Sequence, residues 1–138
     1  MDFSNINFLA VLVGGLLAFA FGALWYSPVL FSKAWQKEVG MTEDDLKGAN
    51  MVQIFGTSLV LMLIMSLGLS FTLRGHEMGD IDLKTGMLHG LYIGLMFVAT
   101  SVGINILYQR KSFKLFLIDA GYQVIMLVIM GAVIGAWA

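Results

Sequence analysis

The sequence predicts an all-α polytopic membrane protein, with four transmembrane helices and a short interfacial amphipathic helix between the first two. Three observations lead there. The stretches 3–32, 48–73, 85–109 and 120–138 contain no Asp, Glu, Lys or Arg, and each reaches the roughly 20 apolar residues a bilayer-spanning helix needs. Apolar residues make up 59% of the chain and charged residues 12%, where soluble domains run at roughly 45–50% and 25%. The chain has 16 Gly and one Pro, a balance suited to membrane helices, in which Gly lets backbones approach closely. Four spans in 138 residues leave no room for a separate soluble domain, so 1–138 reads as one integral-membrane domain.

The first span is placed at about 6–26. Gly14, Ala18 and Gly22 form a ladder of small residues on one side of it, together with Asn7, Phe21 and Trp25. The start, Met1 to Asn5, has no Lys or Arg to serve as a signal-peptide n-region. Ala18-Phe19-Ala20 faintly resembles a cleavage site, but Trp25-Tyr26 reads as the interface anchor of a retained helix. An elbow follows. Pro28 cannot continue the helical ladder and disfavours a helical Ser27. Phe31, Trp35 and Val39 then recur every four residues, which predicts a short helix lying flat among the headgroups with its apolar face down. A soluble hairpin folded against the bundle is the alternative. Thr42, followed by Glu43, Asp44 and Asp45, is expected to cap a helix that leads toward the second span.

That second span is placed at 51–73. It is rich in Leu and Met and has no coherent polar face beyond Gln53, Thr57 and Gly68, so it is expected to be the most lipid-exposed. The third, at 85–108, carries Gly86, Gly90 and Gly94 for close helix packing, with Ser101, Asn105 and Tyr108 on the same broad face. The fourth, at 115–137, lines up Asp119, Gln123, Met126, Met130 and Trp137. Spans one, three and four are therefore expected innermost. No internal repeat relates the two halves of the chain.

Six of the eight Lys and Arg residues lie in the first and third connections. The positive-inside rule puts that side in the cytoplasm and both termini outside, in an inner membrane. Asp119 is the only acid within a span, and such residues usually face a bundle interior or water. Two readings stay open for it. One is a proton or cation site with Asn105, Gln123, Tyr122 and Gln53 gathered on the cytoplasmic side; the other is a structural role, capping backbone or pairing with Lys114 or Arg110. His89 has the same ambiguity. It is a titratable group or an interhelical hydrogen bonder, paired with Asn7 or the Ala138 carboxylate. His76, beside Glu77, reads as a solvated loop residue.

Several classes drop out. The net charge of −1 points to no nucleic-acid partner, and the absence of Cys removes disulfides and thiolate chemistry. Ten Met residues could suggest Cu(I), but without Cys or clustered His they read as adaptable packing. No metal, cofactor, nucleotide loop or catalytic triad is indicated, so an enzyme is not expected, and one acting on lipid is a distant alternative.

The run Gly22-Ala-Leu-Trp25-Tyr26-Ser27-Pro28, continued by Phe31 and Trp35, resembles the small bacterial membrane proteins grouped as domain-of-unknown-function family 1761. Asp119-Ala-Gly121-Tyr122 and the glycine-rich close of the fourth span add to the resemblance, which covers nearly the whole chain. It implies four spans and no assigned activity. The residues themselves leave two functional expectations. One is an oligomeric transporter or channel for an unidentified small solute or ion; the other is a structural or partner-binding subunit, also a homo-oligomer in contact with membrane lipid.

Overall fold

A computed structural model describes residues 3–74 and 81–137. The expectations for His76 and for the Ala138 carboxylate lie outside the described residues. In chain order the helices are α1 (Phe8–Trp25), α2 (Ser32–Val39), α3 (Glu43–Lys47), α4 (Met51–Arg74), α5 (Leu83–Ile93), a π-helical turn (Gly94–Ala99), α6 (Thr100–Tyr108) and α7 (Phe113–Ala136). Helix α5, the π turn and α6 form one rod, Leu83–Tyr108. With α1, α4 and α7 it makes, among the described residues, four helices long and apolar enough to cross a membrane. No strand occurs among the described residues.

Each span begins where a short polar side chain takes up an orphan backbone N–H. Asn7 caps α1 through the Ala10 amide, and Asn50 accepts from the amide of Gln53 at the start of α4. Asp82 caps α5 through Thr85, and Ser112 caps α7 through Leu115. The last two spans therefore start two residues before their expected limits of 85 and 115. Lys84 and Lys114 lie in first turns, where long side chains reach out to water. The Asp82 carboxyl is held below its usual range, first by the Thr85 backbone N–H. Asp45 is lowered in the same way by Thr42.

Thr42 does start a helix, with a complete capping box to Asp45. It leads toward the second span without joining it. Helix α3 ends at Gly48, and Asn50 starts α4 afresh.

The expected layering also needs correction. Helix α7 alone is central: it touches α1, α4 and the third span, and it buries the most residues. Its Tyr122, Met126, Leu127, Met130 and Ile134 form the core with Ala10, Ala18, Leu69 and Leu73. Helix α4 is no more exposed than the third span. Its buried side includes Ser66 and Ser70, 0% and 1% exposed, four residues apart on one face. Serine is small enough to let helices close up, and Ser66 Oγ donates to Val11 O across the α1–α4 contact at 2.9 Å. Ser70 Oγ is buried with no partner among the described residues.

The third and fourth spans meet at their glycines. A Cβ on Gly86 would overlap Gly131 O, one on Gly90 would overlap Leu127 O, and one on Gly135 would overlap Asp82 O. Gly94 lies against Val124. On the other side of α7, Gly14 faces Ser66 and Met130, and Gly22 lies under the Tyr122 phenol.

The π turn changes which residues face inward. An α-helix advances about 100° per residue, so an uninterrupted helix would put Ser101, Asn105 and Tyr108 on the Gly94 side. One extra residue in the wide turn delays the phase by about that step. Val98 packs on the core and Ile106 is buried, whereas Ser101, Asn105 and Tyr108 are exposed.

Candidate functional site

The polar residues that do converge lie at the end of the bundle carrying the first and third connections. Helix α1 stops where Ser27 Oγ turns back to Leu24 O, 2.6 Å away, and Pro28 ends the ladder. The backbone N–H of Phe31 then reaches Trp25 O at 3.1 Å and that of Ser32 reaches Ser27 O at 3.1 Å, which folds the elbow tightly before α2 begins.

This fold aims the elbow at α7. Tyr26 donates its hydroxyl to Asp119 Oδ1 at 2.8 Å, and Trp35 of α2 lies beside the same carboxyl group. Trp25 Nε1 donates to Ile118 O at 3.0 Å, its ring lying over Gly121, where there is no side chain to hold it off. Trp25 also packs on Phe31, ring centres 4.6 Å apart. Tyr26 sits edge-on to Tyr122 at 5.4 Å and to Trp35 at 6.1 Å. Below them the Tyr122 hydroxyl donates to Ala18 O at 2.9 Å.

Helix α2 is held by two further contacts. Ser112 Oγ donates to Glu38 Oε2, and Lys111 Nζ donates to Val39 O at 3.1 Å. It therefore lies against the start of α7, with Lys33 and Lys37 facing outward. Gly40, at φ +80°, ends it in the left-handed conformation that glycine adopts without cost.

Of the partners expected for Asp119, Tyr122 reaches the site through the Tyr26 ring. Asn105 is exposed because the π turn rotates it away. Gln53 is exposed at the start of α4. Gln123 is half-buried one turn further along α7; Met126 and Met130 on its face are buried, and Trp137 is exposed. Lys114 and Arg110 are exposed. The direct partner, Tyr26, and the neighbouring Trp35 belong to the elbow motif. Their common depth with Asp119 was the signal in the sequence, but only the fold joins residues 93 positions apart.

At the other end, His89 Nε2 lies 2.9 Å from Thr72 Oγ1, a contact between the second and third spans. Asn7 is engaged elsewhere, donating to Trp137 O at 3.2 Å. Two shallow apolar grooves, of about 330 and 310 Å³, lie at span boundaries, one lined mainly by the end of α7 and the other by α1 and α4. Neither is lined by Asp119.

Three apolar spans around a fourth, central one, with a short helix docked at one end, define a small multi-pass integral membrane protein. The chain belongs to the family described as "protein of unknown function (DUF1761)", whose model matches residues 9–135. No curated relative and no solved structure matches it.

Proposed function

We propose that the protein is a non-catalytic structural or partner-binding subunit of the inner membrane. In this reading both termini are outside and the elbow faces the cytoplasm. The observation that carries it is the use made of Asp119. The only acid within a span is taken up by Tyr26, with Trp35 beside it, and the middle of the bundle beyond it is filled by Met126, Leu127, Met130 and Ile134. A buried polar group satisfied by its own chain rigidifies the packing. Transport would instead need the carboxylate open to a wet path, and within one chain the apolar core stands in the way. Lys33 and Lys37, with Arg110, Lys111 and Lys114, form an exposed basic rim around the elbow, suited to anionic headgroups.

Reconstitution into liposomes tests the reading. Wild-type protein is expected to carry no proton or potassium flux above protein-free vesicles, and Asp119→Asn to lower thermal stability. Flux that depends on Asp119 would replace this reading with an oligomeric transporter or channel.

A further inference from the structure

We infer that a second copy of this chain docks on the outward face of the third span, through Ser101 and Asn105. The face is composed of Phe97, Ser101, Ile104, Asn105 and Tyr108, all exposed and recurring at helical spacing. The side chains of its polar members have no hydrogen-bond partner among the described residues. Thr100 differs, since its hydroxyl turns back to the carbonyls of Met96 and Phe97 at 2.9 and 3.0 Å.

Depth makes the arrangement informative. At 1.5 Å per residue, Ser101 lies about 10 Å inside the end of the span. The rod Leu83–Tyr108 is about 39 Å long, so only about 5 Å at each end projects beyond a hydrocarbon core of about 30 Å. Ser101 therefore sits in hydrocarbon and Asn105 at its border. Lipid tails offer no hydrogen bond, and an uncompensated amide or hydroxyl there is costly. Asparagine and serine in spans meet that need across helices.

The chemistry also selects the occupant. An Asn side chain carries both a carbonyl acceptor and amide donors, so two copies of Asn105 related by a two-fold axis satisfy each other without any other group. Such an isologous contact is the commonest way soluble chains pair. Phe97 and Ile104 on the same face, 60% and 56% exposed, supply the apolar contact around the pair. The π turn is what presents this face, because without it Ser101 and Asn105 would point at α7. The inference does not depend on the function proposed above.

The chain has no Cys, so single-cysteine crosslinking in native membranes is a direct test. Ser101→Cys and Asn105→Cys are expected to give disulfide-linked dimers on oxidation. Leu61→Cys, on an exposed position of α4, is expected to give none. A second measurement follows dimerisation of the wild type, Asn105→Leu and Asn105→Gln by energy transfer on dilution in pure lipid bilayers. Loss of two symmetric interhelical hydrogen bonds predicts dimerisation about tenfold weaker for Asn105→Leu, with Asn105→Gln close to wild type. Equal crosslinking at 61 and 105, no crosslinking at 101 and 105, or a wild type that is monomeric in pure lipid would overturn the inference. The last result would leave Asn105 to the headgroups.

Discussion

Tyr26 and Asp119 form a hydrogen bond of 2.8 Å between half-buried groups, so it is less screened than a surface contact. Tyr26→Phe keeps the ring contacts with Trp35 and Tyr122 and removes only the donor. A hydrogen bond to a charged group contributes about 1.5–3 kcal/mol when buried; half-burial points to the lower end. Thermal unfolding in detergent should show that loss in the wild-type background and almost none in Asp119→Ala, because partners in one contact are not additive. Equal losses in both backgrounds would separate the two residues. The two serines of α4 make a sharper contrast. Ser66→Ala removes a bond to Val11 O and should cost about 1 kcal/mol, whereas Ser70→Ala removes a buried hydroxyl that has no partner among the described residues and should be neutral or stabilising. Both serines were overlooked in the sequence because Ser66 and Ser70 are isolated among Leu and Met, and nothing local says which side of so apolar a helix turns inward.

The glycines of the third span were legible because three of them repeat at intervals of four, and such spacing has one common use in membranes. Their partners on α7 could not be read. Gly131 and Gly135 are also four apart, but so are many residue pairs in that helix. Where two backbones nearly touch, a branched side chain has no space, and overpacking costs about 1–3 kcal/mol even in forgiving sites. Gly90→Leu should lower the unfolding temperature in detergent and raise protease sensitivity at the α5–α7 contact, while Gly68→Leu, at a glycine with nothing near its Cβ position, should do neither. A stable Gly90→Leu variant would mean that the third span can move off α7 freely. The π turn left no mark on the sequence that separates it from ordinary helix. It is a property of hydrogen bonding along the rod, and through it the expected grouping of Asn105 with Asp119 fails.

Across the whole molecule, the elbow, α2 and the start of α7 form one end, and the Asn7, Trp137 and His89 contacts form the other. Six of the eight basic residues belong to the first of these ends. The positive-inside rule then expects a membrane-impermeant thiol reagent, applied to intact cells, to label a cysteine placed at 2 and to spare one placed at 111. Labelling at 111 but not at 2 would invert the orientation. Four spans, their approximate limits and the elbow were determined by the sequence alone, because lipid admits few backbone solutions and because Pro28 and the run of charge-free stretches act locally. Which helix is central, what holds Asp119 and which face of the third span is left outward were decided only in the tertiary structure. Each depends on residues far apart in the chain and on the rotation of one rod about its axis, and hydrophobicity in so uniformly apolar a sequence carries no information about rotation.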